Sequence, residues 1–152
     1  LLVKVITSLS TDVAGLIQQS RDYQASLYPS ESINQDDPEY LVNGDMYFVG
    51  AYDGDSLCGI GGVKIMPDTP VYGEIKNLFV DPACRGRGVS KLVMNALENY
   101  LLKKKINLCR LESGVSQPES LGLYRSLGYM ERDAYGDYEP DPLSVFMEKI
   151  IK

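Results

Sequence analysis

Between residues 74 and 101 the chain switches hydrophobic period across a short glycine-arginine turn. Glu74-Ile75-Lys76-Asn77-Leu78-Phe79-Val80 reads as a strand and is closed by Asp81-Pro82. Arg85-Gly86-Arg87-Gly88 follows. Val89, Leu92, Val93, Ala96, Leu97, Tyr100 and Leu101 then recur at spacings of three and four, which predicts an amphipathic helix. Lys103-Lys104-Lys105 ends it, where the helix dipole favours cations. A strand feeding a helix through this turn fits a mixed α+β fold.

The rest of the chain builds around this unit. Leu2 to Leu9 reads as a strand, and Ser10 or Thr11 caps a helix that runs to about Leu27 before Pro29. Residues 29–45 are polar, with one short helix over Pro38 to Val42. Met46 to Tyr52 and Leu57 to Met66 form a hairpin about Asp53-Gly54-Asp55. Gly59, Gly61 and Gly62 inside it signal a bulge or a close backbone approach. Asn107 to Ser113 is a further strand. Pro118 opens a helix with Leu121, Tyr124 and Leu127, and Gly128 ends it. Tyr129 to Ala134 and Leu143 to Ile150 are the last strands. Residues 1–152 are thus expected to form a single mixed α+β domain, without repeats or linkers.

The residues between Gly86 and Ser90 suit a phosphate. The first turn of a helix leaves main-chain N–H groups unpaired, its dipole is positive there, and glycine lets the backbone approach an oxygen. Arg85 and Arg87 add positive charge to a chain of net charge −6, which points to a diphosphate. A Walker A loop requires Gly-Lys-Ser/Thr, which is absent, and a dinucleotide fingerprint requires glycine at position 91, which is lysine. An arginine-decorated turn without a ligand is the remaining alternative.

Composition excludes several chemistries. Without histidine there is no Ser-His-Asp triad, no Cys-His pair and no histidine-containing zinc site, and no metal is expected. Cys58, Cys84 and Cys109 are odd in number and far apart, so free thiols, a reducing compartment and a cytoplasmic location are expected. The apolar start at Leu1 to Ile6 is too short for a signal segment, and no run is long enough to span a membrane. An acidic chain is a poor non-specific ligand for nucleic acid.

The segment resembles the GNAT superfamily of acetyl-CoA-dependent N-acetyltransferases. The family motif R/Q-x-x-G-x-G/A is matched by Arg85, Gly88 and, at its last position, Ser90 in place of Gly or Ala. Tyr124-Arg125-Ser126-Leu127-Gly128-Tyr129 resembles the family's Y-x-x-x-G-F/Y. The likeness covers most of Glu74 to Lys149, whereas the first 45 residues match only in layout. It implies a mostly antiparallel mixed sheet of about six to seven strands flanked by helices. It implies coenzyme A, held by the main chain of Leu78, Phe79 and Val80 along its pantetheine arm. Arg85, Gly86, Arg87, Gly88, Val89 and Ser90 would hold its diphosphate, with Gln117 and Tyr124 at the arm.

For amine acetylation, a base, a carbonyl polariser and an acid are needed. Tyr124 is the acid that the resemblance implies, with a packed helix-face tyrosine as the alternative. Glu74 is the candidate base. Alternation puts Glu74, Lys76, Leu78 and Val80 on one face, so that Lys76 would pair with Glu74, whether as base or as a solvated ion pair. The resemblance implies that the N–H of Phe79 or Val80 would polarise the carbonyl. Cys84 falls at the diphosphate end and reads as an incidental thiol. Glu131 to Asp141 carries five acidic residues with Tyr135 and Tyr138, which suits an acceptor ammonium or a solvated loop. The expected activity is acetyl transfer from acetyl-CoA to a primary amine of a small molecule or protein, by direct attack in a ternary complex. A non-catalytic acyl-CoA-binding or sensing module and another diphosphate-nucleotide binder are the alternatives. No nucleic-acid or membrane partner is expected, and a homodimer is compatible with the fold.

Overall fold

A computed structural model describes residues 1–152. In chain order it contains β1 (Leu2–Val5), α1 (Thr11–Leu27), α2 (Pro38–Asn43), β2 (Met46–Asp53), β3 (Ser56–Met66) and β4 (Tyr72–Val80). Then come α3 (Val89–Lys103), β5 (Leu108–Gly114), α4 (Pro118–Ser126), β6 (Met130–Arg132) and β7 (Ser144–Ile150). The strands form one sheet in the order β1-β2-β3-β4-β5-β7-β6. Every neighbouring pair is antiparallel except β4 and β5. This seven-stranded, mostly antiparallel mixed sheet is the one that the family resemblance implies.

Local signals account for most boundaries. Ser10 caps α1 by accepting from the Val13 N–H at 3.3 Å, and Asp37 caps α2 by accepting from the Glu39 N–H at 2.8 Å. Leu2 to Leu9 was too long a strand: pairing ends at Val5, and after one more bond from Ile6 to the Phe48 carbonyl the chain departs towards the Ser10 cap. The last hairpin is shorter too, since β6 keeps only Met130–Arg132. Short 3-10 turns at Ser30–Ser32 and Pro82–Cys84 carry no hydrophobic period that would announce them.

Apolar faces cover both sides of the sheet. Val93, Met94, Leu97 and Leu101 of α3 are fully buried against the central strands, together with Leu121 and Tyr124 of α4. Val13, Leu16 and Ile17 of α1 and Leu41 and Val42 of α2 pack on the opposite face. The β3 glycines allow α3 to sit close: a Cβ at Gly59 would come within 2.7 Å of Val89, and one at Gly61 within 2.7 Å of Val93.

Two irregularities position the site. Ile60 pairs with Phe79 but Gly62 pairs with Lys76, so Asn77 and Leu78 oppose the single residue Gly61. Asn77 sits at φ 58°, and this bulge reverses the alternation of β4. Leu78 and Val80 therefore pack with the α3 cluster, while Phe79 packs with the α1 cluster. The expected single face of Glu74, Lys76, Leu78 and Val80 is thus broken at Asn77. Parallel pairing of β4 with β5 also stops at Ile75 and Leu111. Beyond it the two strands part, and the second half of β4 leaves its outer main-chain edge unpaired.

Candidate active site

The parting of β4 and β5 opens a cleft of about 480 Å³ at the start of α3. Its walls include Leu78, Phe79, Val80, Arg85, Gly86, Gly88, Val89, Ser90 and Gln117. Gly88 is the N-cap of α3 at φ 75°, and Gly86 lies at φ 80°. Both values are in the left-handed region that favours glycine. Unlike α1 and α2, α3 has no side-chain cap. Its first internal bond is from the Leu92 N–H to the Gly88 carbonyl, so the N–H groups of Val89, Ser90 and Lys91 have no partner within the helix. A Cβ at Gly86 or Gly88 would meet nothing within 4 Å, so open space faces this turn. Uncapped amides, open space and Arg85 together fit a diphosphate group.

Arg87 differs from the other sequence-derived residues. Its guanidinium is tied to Asp53 at 2.9 Å on the surface and does not line the cleft. Cys84 does line it, but its thiol is pushed up to about 11, led by a hydrogen bond with Cys58, and so stays protonated at neutral pH.

A second cavity, of about 100 Å³, adjoins the cleft and shares Leu78, Gln117 and Ser120 with it. Tyr124 lines this cavity and is only 7% exposed. Burial, and then the nearby Glu112 charge, raise its phenol above the ordinary range, so that it remains a proton donor at neutral and alkaline pH. Gln117 stands at the junction and accepts from the Tyr28 hydroxyl at 3.1 Å.

Glu74 lies elsewhere. It is 4% exposed and does not line either cavity. It accepts hydrogen bonds from the Tyr135 hydroxyl at 2.9 Å and the Tyr138 hydroxyl at 2.6 Å. The expected Lys76–Glu74 pair does not form, because Lys76 reaches Asp36 at 2.8 Å instead. Nor is Glu74 a solvated surface carboxylate. The acidic connection between β6 and β7 is likewise not simply solvated: Tyr135 is buried against Tyr72 and Phe146, and Tyr138 lines the inner cavity.

The carboxyl group that does reach the cavity is Glu112 of β5, which sequence reasoning missed. Burial pushes it up to about 7, opposed by a 2.9 Å hydrogen bond from Ser144 and reinforced by the Glu74 charge. The only available signal was that Glu112 falls near the end of the strand paired in parallel with β4. Its altered acidity arises from distant segments. The cavity therefore holds one carboxyl poised near neutrality and one persistent phenol donor, next to the cleft at the uncapped start of α3. That pairing suits proton removal and proton return in a group transfer.

Relatives carry the same plan. Residues 14–129 match the model of the acetyltransferase (GNAT) family. An IAA acetyltransferase of Azospirillum brasilense is 35% identical over 141 residues, covering 93% of this chain and 92% of that one. A Klebsiella pneumoniae structure assigned as an acyl-CoA N-acyltransferase superposes with a TM-score of 0.80 at 28% identity, covering 99% of this chain and 97% of that one. The fold is shared as well by the PaiA N-acetyltransferase of Thermoplasma acidophilum in complex with coenzyme A, with a TM-score of 0.73, 20% identity and 99% of each chain covered. Motif, topology and kinship converge, and the chain belongs to the GNAT family of acetyltransferases.

Proposed function

We propose that this protein transfers an acetyl group from acetyl-CoA to a primary amine, by direct attack of the amine while both substrates are bound. One observation carries the reading: the cleft at the uncapped end of α3 and the cavity lined by Glu112 and Tyr124 are neighbours, sharing Leu78, Gln117 and Ser120 as walls. A thioester carrier gripped by its diphosphate at one end would present its acyl group at the other.

The amides of Val89 and Ser90, with Gly86, Gly88 and Arg85, hold the diphosphate. Leu78 and Val80 meet the pantetheine arm. The Asp81 N–H is already bonded to the Cys58 carbonyl at 2.8 Å, so strand alternation turns the Val80 N–H to the open edge, where it can polarise a carbonyl. Bound there, acetyl-CoA supplies an acetyl group activated as a thioester. Glu112, ionised above about pH 7, takes the proton of the ammonium and frees its lone pair. The new C–N bond forms as the C–S bond breaks, Tyr124 gives its proton to the departing sulfur and regains one from the acylated nitrogen, and Glu112 releases the ammonium proton to solvent, so that both residues are restored. Glu74 acts one step back, fixing the Tyr138 wall rather than meeting the amine. The free thiols of Cys58, Cys84 and Cys109 suit a reducing cytoplasm, and no helix is long and apolar enough to cross a membrane.

The test is thiol release from acetyl-CoA across a panel of amines. Amine-dependent release that Tyr124→Phe lowers would support the transferase. Coenzyme A binding without amine-dependent release would leave only an acyl-CoA-binding module.

A further inference from the structure

Gln117 lines both the cleft and the inner cavity, and its side chain is held by Tyr28, the C-cap residue of α1. The Tyr28 hydroxyl donates to the Gln117 Oε1 at 3.1 Å and accepts from the Ser116 N–H at 3.2 Å. These two bonds settle which way the carboxamide faces. The Ser116 N–H brings a proton to the Tyr28 oxygen, so the one hydroxyl proton needs an acceptor, and in a carboxamide only the oxygen accepts. Gln117 Nε2 is thereby turned away from Tyr28. It donates to no group of the protein, and it is not sealed from solvent. The Gln117 main chain is fixed separately, since its carbonyl accepts from the Ser120 and Leu121 N–H groups at 3.1 Å each as α4 begins.

The room for this contact is made on β5. Gly114 ends that strand, and a Cβ there would collide with the Tyr28 hydroxyl. Gly114 does not have a positive φ, so the close approach of Tyr28 is what requires glycine. Three segments far apart in sequence, the end of α1, the end of β5 and the start of α4, thus converge on the orientation of one carboxamide.

We infer that Tyr28 is a positioning residue for the cofactor. By engaging Gln117 Oε1 it commits Gln117 Nε2 to donate at the junction of cleft and cavity, to an amide carbonyl of the pantetheine arm. The inference rests on the coenzyme A reading above and adds a residue that acts through Gln117. Without the hydroxyl the carboxamide turns freely, and binding must then pay to order it.

Calorimetric titration of the full chain with coenzyme A tests this. Tyr28→Phe keeps the ring and removes only the hydroxyl, and affinity is expected to fall about three- to tenfold. In steady-state kinetics the loss falls on the KM for acetyl-CoA more than on kcat. Gln117→Ala lowers affinity at least as far. Adding Tyr28→Phe to Gln117→Ala is expected to cost less than about twofold more, because no carboxamide is left to hold. A second probe is 3′-phospho-ADP, which keeps the diphosphate and lacks the arm. Its affinity is expected to be the same in the parent and in Tyr28→Phe. An unchanged coenzyme A affinity in Tyr28→Phe would overturn the inference. So would a full loss in the Gln117→Ala background, or an equal loss for 3′-phospho-ADP, either of which marks a purely structural role. Failure of the parent itself to bind coenzyme A would instead remove the functional reading, and the inference with it.

Discussion

Glu112→Gln separates what this carboxyl does for chemistry from what it does for the fold. The substitution keeps the shape and an oxygen to accept the 2.9 Å bond from Ser144, but it cannot ionise. Moving a carboxyl from its ordinary 4.5 to about 7 corresponds to about 3 kcal/mol. The sign follows from proton binding. Between pH 4.5 and 7 the native state holds this proton more tightly than the unfolded chain, so the group's contribution to stability falls as pH rises. Above pH 7 the native protein carries the full cost of a buried charge. Glu112→Gln and the parent should therefore melt together near pH 4.5. By pH 8 the variant should be the more stable by up to about 3 kcal/mol, or roughly 9 °C for a chain of this size. Over the same range its turnover should fall by about 100-fold or more, because the base is gone. In the parent, kcat/KM for an acceptor that stays protonated should rise with pH through about 7. Thermal melts at closely spaced pH values, paired with thiol-release kinetics, read both effects. A variant that is less stable at pH 8 and keeps the parent's turnover would refute the assignment.

Tyr124→Phe should lower kcat by about 100-fold or more with coenzyme A affinity nearly unchanged, measured by steady-state kinetics beside titration calorimetry. Arg85→Ala, which opens the cleft wall, should weaken coenzyme A binding by about tenfold. Arg87→Ala removes only the surface pair with Asp53 and should change binding less than about threefold in the same calorimetric titration. Leu97→Ala empties a fully buried position under α3 and should cost about 2–5 kcal/mol in denaturant unfolding, with the midpoint moving and the slope preserved.

Much of the framework was legible because its causes are local. Ser10 before an apolar stripe, Pro118 at a helix start and the Asp53–Asp55 turn each act within a few residues. The uncapped start of α3 could be read for the same reason, as Gly88 and the first turn of the helix are consecutive. Failures began where a partner strand decides. At the bulge the register with β3 shifts, so that Asn77 and Leu78 oppose the single Gly61, and this turns Leu78 away from the face of Lys76. Asparagine tolerates positive φ, which was a faint hint but no more. Glu74 and Lys76 are two apart on a strand, yet burial under Tyr135 and Tyr138 claims one while Asp36 claims the other. Glu112 lay out of reach for a similar reason. Its acidity is set first by burial, with the Ser144 hydrogen bond opposing and the Glu74 charge reinforcing it, and all of these arise only after folding.

A crystal structure with coenzyme A tests the proposed mode of binding most directly. The diphosphate is expected within hydrogen-bonding distance of the Val89 and Ser90 amides, with the sulfur beside Tyr124. A diphosphate bound away from the start of α3, or a thiol turned away from the cavity of Glu112 and Tyr124, would contradict it.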